Sequence, residues 1–463
     1  MDDDAYASQP VHLDRFPASF VWGVATAAQQ IEGAARDDGR GASIWDTFSH
    51  TPGLTHHGDT PDVACDHYHR WREDVSLMGA LGVPAYRLSV SWARLQPSGE
   101  GDLNPAAVAF YRELLGALHD RGIRPFVTLY HWDLPQPLED RGGWPRRQTA
   151  YAFADFAERT IRALCDLADD WITINESWCA SFLGYGYGAH APGRRDMSAA
   201  VAAAHHLNLA HGLAVERIRG VAPGARVGVT DIVTESLPAT DKAPDVAAAA
   251  RLDAANTRVF LDAHHHGEYS AAVHDALDPF GLAEVIKPGD LVLAGAPTDF
   301  IGVNHYQRVL VSHRDQAGPF RAVEEPASPA STSFGWSVVP DSLRSVLERV
   351  STDYGPAPIY VTENGASFHD YAGPDGRVHD PERIDYLQGY LDAAGQAISN
   401  GVDLAGYFAW SLLDNFEWAE GYSKRFGLVY VDYATQARTP KSSASWYSGL
   451  IAAHKRRAER AAA

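Results

Sequence analysis

The sequence predicts an α/β fold, a single (β/α)8 or TIM barrel with elaborated βα loops at its C-terminal face. Three observations predict it. Eight short apolar segments of strand character begin near residues 20, 85, 124, 171, 226, 299, 358 and 404, and each is followed by a helical pattern. Strands alternating with helices pair in parallel, and eight such units close a ring. No G-x-G-x-x-G turn follows the first segment, as an open doubly wound sheet usually requires. Two segments, Trp171-Ile172-Thr173-Ile174-Asn175-Glu176 and Ile359-Tyr360-Val361-Thr362-Glu363-Asn364-Gly365, end in a glutamate beside an asparagine. An unpaired charge is costly inside a strand, but it suits the point where a strand leaves the core and faces a cavity.

In chain order, residues 1–15 read as a flexible lead. Phe20 to Thr26 is the first strand. A long connection then reaches a helix over Tyr68 to Leu81, where Trp71, Val75, Met78 and Leu81 recur at helical spacing. Strand two is Ala85 to Val90. A helix over Pro105 to His119 leads to strand three, Arg124 to His131, and a helix over Thr149 to Ala168 leads to strand four, Trp171 to Asn175. An alanine-rich helix over Ser198 to Arg219 precedes strand five, Arg226 to Thr230. A helix over Pro244 to Leu261 follows, then strand six, Asp299 to Asn304. The helix of Ser342 to Val350 leads to strand seven and that of Ile384 to Asn400 to strand eight, Leu404 to Trp410. A last helix spans Ser442 to Lys455. Residues 16–455 form one domain, 456–463 a flexible tail, and the long connections after strands one, six and eight are loops on one face.

The chain has 463 residues, 45% of them hydrophobic, which is ample for such a core. Its net charge of −20 argues against a nucleic-acid partner, because duplex binding needs a basic surface. No window of about 18 apolar residues predicts a membrane span. Three cysteines, Cys65, Cys165 and Cys179, give no disulfide framework and fit a reducing compartment. The acidic start lacks the apolar run of a signal peptide, so the protein is expected in the cytoplasm. Cys65-Asp66-His67-Tyr68-His69 lacks the second Cys pair of a structural zinc site. His264-His265-His266 reads as a loop or helix end. His205, His206 and His211 read as packing residues, since positions five apart do not share a helix face.

Barrels of this kind carry their active groups at the C-terminal ends of the strands. Those ends hold Gln30, Arg87, His131-Trp132-Asp133, Asn175-Glu176, Asn304-His305-Tyr306, Glu363-Asn364, and Trp410 followed by Asn415-Phe416-Glu417-Trp418. Amide, imidazole and carboxyl groups can grip the hydroxyls of a sugar ring, and flat aromatics can cover its C–H faces. Two carboxyl groups flanking a sugar make a glycosidase, one donating a proton and the other attacking or activating water. Retention and inversion stay open at this point, because a separation of about 5–5.5 Å or about 6.5–9.5 Å decides between them.

The ordered motifs Gln30-Ile31-Glu32-Gly33, Tyr130-His131-Trp132-Asp133, Thr173-Ile174-Asn175-Glu176, Val361-Thr362-Glu363-Asn364-Gly365 and Asn415-Phe416-Glu417-Trp418 resemble glycoside hydrolase family 1, the β-glucosidase family, end to end. The resemblance implies a retaining mechanism with Glu363 as nucleophile and Glu176 as acid/base. It implies that Arg87 and Tyr306 contact the nucleophile and that Asn175 binds the sugar 2-hydroxyl. Gln30, His131, Glu417 and Trp418 match positions that hold the other hydroxyls, Trp410 the stacking platform, and Trp336 the aglycone side. Trp132, Asn304 and Phe426 complete the expected substrate-binding set. Members acting on 6-phosphorylated sugars carry Ser, Lys and Tyr where this chain has Glu417, Lys424 and Phe426, so unphosphorylated glycosides or short oligosaccharides are the expected partners, glucosides first, with galactosides and fucosides as side substrates. No metal or organic cofactor is implied, and oligomeric state is not legible. The alternative is a non-catalytic sugar-binding protein of the same fold, against which both glutamates speak. Three positions depart from the family pattern: Ser177 replaces the proline after the acid/base, His305 the tyrosine before Tyr306, and Ser337 the acidic residue after Trp336. The first is expected to tune Glu176 by a local bond or a backbone shift, and the other two to affect the loop or the aglycone mouth.

Overall fold

The computed structural model describes residues 11–462. Its centre is eight strands: β1 (Val21–Ala25), β2 (Ala85–Ser89), β3 (Arg124–Tyr130), β4 (Asp170–Asn175), β5 (Arg226–Ile232), β6 (Phe300–Asn304), β7 (Ile359–Asn364) and β8 (Leu404–Trp410). They join in the order β1-β8-β7-β6-β5-β4-β3-β2 as a closed barrel. Every pairing is parallel. The predicted starts fall within one residue of those observed, because strands buried on both faces read as unbroken apolar runs.

The helices outside are α1 (His67–Ala80), α2 (Pro105–Asp120), α3 (Arg147–Leu164), α4 (Met197–Val221), α5 (Ala243–Asp253), α6 (Asp341–Tyr354), α7 (Pro381–Ser399) and α8 (Ser442–Ala462). Local chemistry sets their starts. Asn104 caps α2 by accepting the Ala106 N–H, with proline at the first helical position, and Asp196 caps α4. In α3, Ala150, Phe153, Ala157, Ile161 and Leu164 recur on the buried side, at the spacing of one helix face.

Some bounds differ from expectation. Helix α8 runs on to Ala462, so residues 456–462 continue it instead of forming a tail. Of the expected lead, residues 1–10 lie outside the described residues, and Leu13–Arg15 forms a single 3-10 turn. The helix expected over Pro244 to Leu261 stops at Asp253 and passes through wide π-type turns at Ala254–Arg258 and Asp262–His266. Two small sheets occupy connections read as loops. One comprises Glu235–Pro238, Arg308–His313 and Ala322–Pro326, the other Val429–Asp432 and Ala437–Pro440. Among the described residues no helix is long and apolar enough to cross a membrane.

Glycines make room for the aromatics that fill the barrel's lower half. Phe126 lies 4.9 Å from Phe408 and 5.4 Å from Tyr360, ring centre to ring centre. A Cβ on Gly23 would meet the Phe408 ring at 2.3 Å, and one on Gly228 the Phe300 ring at 2.3 Å. Above this plug the inward side chains turn polar.

Candidate active site

Glu363 owes its position to an irregular strand end. The register of β7 shifts between Val361 and Glu363 against β6, and between Val361 and Asn364 against β8. Such a bulge re-aims side chains. The backbone then closes tightly: a Cβ on Gly365 would lie 1.8 Å from the Trp410 carbonyl oxygen, so only glycine fits. Asn364 fastens the turn, donating to the His305 carbonyl (2.6 Å) and accepting from the Tyr407 hydroxyl (2.7 Å).

Glu176 leaves β4 in the same way. The β4–β5 register shifts between Ile172 and Asn175, and Glu176 takes a left-handed conformation at φ 49°. Trp132 (φ 72°) and Trp418 (φ 53°) do likewise. Side chains rarely adopt this region, and such backbone gathers at functional sites. All three residues line one cavity of about 440 Å³ at the C-terminal end of the barrel.

The cavity wall brings together Glu176, Glu363, His131, Trp132, Tyr306, Trp336, Trp410, Glu417, Trp418 and Phe426. Four of the expected site residues, Arg87, Gln30, Asn175 and Asn304, are not on that wall; they stand behind it. Arg87 ion-pairs with Oε1 of Glu363, and the Tyr306 hydroxyl donates to Oε2 at 2.6 Å. Arg87 also donates to Asn175 Oδ1 at 2.6 Å. The Asn304 amide donates to Asn175 Oδ1 (3.0 Å) and to Glu176 Oε1 (2.7 Å). A continuous chain of hydrogen bonds therefore joins the two glutamates.

The same bonds fix a tautomer. With its oxygen taken by Arg87 and Asn304, Asn175 turns its N–H to His131 Nε2 at 3.1 Å. That nitrogen is the acceptor, so Nδ1 carries the proton and has no partner among the described residues. Burial and Arg87 hold the His131 pKa well below its usual value, so the ring is neutral. It stacks between Trp410 and Trp418, at 6.0 and 5.9 Å. Gln30 donates to Asn415 Oδ1, the Phe416 carbonyl and Glu417 Oε2, at 2.9, 3.0 and 3.3 Å, and leaves its own Oε1 unpartnered.

Charge separates the carboxyl groups. Glu363 has Arg87 and Tyr306 on its two oxygens. Glu176 has no cation in contact, and burial first, then the negative charge of Glu363, pushes its pKa up to about 8. Burial and the same two neighbours also push Glu417 to about 8. Glu176 thus holds a proton near neutral pH, across the cavity from a carboxyl group that an arginine and a tyrosine contact.

The three departures have distinct outcomes. The Ser177 hydroxyl is buried and bonds nothing in the protein. His305 turns away from the cavity, to the Val233 carbonyl and the Ser342 hydroxyl at 2.7 Å each, so its place is the barrel wall and not the mouth. Ser337 accepts the Ala327 N–H at 2.9 Å and fixes its loop. The histidines read as packing residues each have their own partner: Asp290 for His205, the Trp144 carbonyl for His206 and Thr173 for His211. His67 pairs with Asp74, and the Cys65 thiol donates to the Asp414 carbonyl. Among the described residues no three His, Cys, Asp or Glu are grouped to hold a metal ion.

Sequence reasoning missed the outer wall, where Trp178 and Leu183 come from the helical turns after β4, Ile232 from the end of β5, Glu324 from the strand Ala322–Pro326, and His190 and Phe334 from loops. It also missed Cys179, whose thiol donates to Glu176 Oε2 at 3.2 Å. The signal was present, since residues three apart in a first helical turn face each other.

Comparison with known proteins identifies the family and the fold. Beta-glucosidase A of Thermotoga maritima is 44% identical over 442 residues, covering 95% of this chain and 98% of that protein. The bifunctional beta-D-glucosidase/beta-D-fucosidase of Bifidobacterium breve is 44% identical over 462 residues, covering 96% and 99%. The crystal structure of the AHE enzyme from Alicyclobacillus herbarius superposes with a TM-score of 0.93 at 49% identity, covering 95% and 98%. The model of glycosyl hydrolase family 1 matches residues 12–456, and to that family this chain belongs.

Proposed function

We propose that the protein is a retaining β-glucosidase that releases terminal non-reducing β-D-glucosyl residues from unphosphorylated glycosides or short oligosaccharides by double displacement. The observation that carries this reading is the unequal bonding of two glutamates on one cavity wall: Glu363 between Arg87 and Tyr306, and Glu176 hydrogen-bonded by the neutral donors Asn304 and Cys179.

In the first half-reaction the Glu363 carboxylate attacks the anomeric carbon. The bond to the aglycone oxygen breaks, and that oxygen takes the Glu176 proton. Forming the ester consumes the charge on Glu363, the second cause of the raised Glu176 pKa after burial, so the newly ionised Glu176 is less disfavoured than before. In the second half Glu176 takes a proton from water, whose oxygen attacks the same carbon and displaces Glu363 with net retention. His131 Nδ1–H and Glu417 hold sugar hydroxyls, Gln30 orients Glu417 from behind, Trp410 and Trp418 cover the sugar's faces, and Trp336 flanks the aglycone.

Fucoside hydrolysis is a side activity in this proposal, in line with the name of the Bifidobacterium breve relative. Phosphorylated sugars are excluded: Lys424, the one basic residue at the positions that would bind a phosphate, is held by the Ser333 carbonyl at 2.9 Å and lies 5.2 Å over the Phe334 ring. A cytoplasmic location fits the three free thiols.

The test is chemical rescue. Glu363→Ala abolishes hydrolysis of an aryl β-glucoside, and azide restores turnover with an α-glucosyl azide product. Glu176→Ala spares activated leaving groups and gives the β-azide. Full activity of Glu363→Ala rejects the assignment, and sugar binding by the intact protein without turnover favours a binding protein.

A further inference from the structure

We propose that Cys179 is a positioning residue for Glu176: its thiol, one helical turn beyond the carboxyl, partners Oε2 and sets which oxygen carries the acid's proton. This rests on the reading of Glu176 as acid/base.

The placement follows from the backbone. Glu176 ends β4, and its carbonyl accepts the Cys179 N–H at 3.0 Å, closing the first turn of the next helical segment. The side chain comes back alongside the carboxyl and lines the cavity. The two Glu176 oxygens then have unequal partners. Oε1 takes an N–H from Asn304, whose orientation is fixed because its own oxygen accepts the Thr362 hydroxyl at 2.7 Å. A proton added to the carboxyl goes to Oε2, beside the sulfur.

A thiol suits a group that must alternate between two states. S–H is a weak donor to the ionised carboxylate, and sulfur is a weak acceptor once the carboxyl is protonated. A hydroxyl would donate more strongly and favour the ionised form. The thiol itself stays protonated, since burial and the charges of Glu176, Glu363 and Glu417 push its pKa well above the usual value. Ser177, where the family has proline, offers no second donor. The other titratable or charged groups facing Glu176 are Glu363 on β7, Arg87 on β2, Tyr306 after β6, Glu417 after β8 and the neutral His131 after β3. None of them bonds to Cys179, so exchanging it leaves their bonds in place.

The experiment is the pH dependence of kcat/KM for an alkyl β-glucoside, whose leaving group needs a proton, in the native protein, Cys179→Ser and Cys179→Ala. The basic limb moves down by about half a pH unit in the serine variant and up by about as much in the alanine variant. The kcat/KM for a dinitrophenyl β-glucoside, whose leaving group needs no proton in the first half-reaction, stays within about twofold for both variants. The position of the limb does not depend on how much of a variant folds. An unmoved limb in both variants, or shifts of the same sign, overturns the proposal. Glu176→Gln in the same assay separates the two readings. Selective loss on the alkyl glucoside with unmoved cysteine variants rejects only the role of Cys179. Equal loss on both substrates rejects Glu176 as the acid, and with it the proposal.

Discussion

At the scale of single residues, the site works by holding alike groups in unlike surroundings. Glu176 and Glu363 are both buried, yet only Glu363 touches a guanidinium. This has a consequence for stability. The Glu176 pKa rises from the usual 4.5 to about 8 on folding, so between those values the folded state binds more proton than the unfolded chain. Stability contributed by this group therefore falls as pH rises through that window. Glu176→Gln removes the penalty. Its melting temperature should equal that of the native protein near pH 4 and exceed it by roughly five degrees at pH 8.5, which a calorimetric series would show. A constant offset across pH would contradict the linkage. Tyr306→Phe removes a hydrogen bond to the Glu363 carboxylate, a bond to a charged group, and should lower kcat about tenfold to a hundredfold with little change in fold.

At the scale of elements, strand ends and the loops after them place the chemistry. The bulge in β7 and the glycine after it act together, since Gly365 lets the Trp410 carbonyl pass. Gly365→Ala should cost about 1–3 kcal/mol in denaturant unfolding and cut kcat more than stability alone explains, by displacing Glu363. The loops after β7 and β8 are pinned by buried charges. Lys441 bonds Asp370 and Asp414 at 2.5 and 2.7 Å, Arg383 bonds Asp370 and Asp380 at 2.7 and 2.5 Å, and Arg425 bonds Asp414 at 2.6 Å. Lys441→Met leaves Asp370 and Asp414 with one arginine each in place of two cations and should cost about 1–3 kcal/mol, read by chemical denaturation. The strands and their terminal residues were legible because an apolar run that ends in a polar group has few other uses. The outer wall was not, because His190 or Phe334 reaches the cavity only once its loop has been folded by contacts distant in sequence. The wide turns after Asp253 have no local signal either: an alanine-rich stretch fits either helical pitch.

At the scale of the whole molecule, charge and topology set what reaches the site. The net charge is −20, and among the described residues lining the cavity five are glutamates and none is lysine or arginine. Glucosides bearing a carboxylate or phosphate on the aglycone should react with lower kcat/KM than neutral analogues, and the gap should narrow as salt rises from 20 to 500 mM, roughly as screening predicts. A gap unchanged by salt would point to shape instead of field. The ring closes where β1 meets β8, and Gln30 reaches across that seam to Glu417, 387 positions away in sequence. The pocket therefore has both sides only once residues 30 and 417 have both been made, and a growing chain that stops short of the eighth strand is inert.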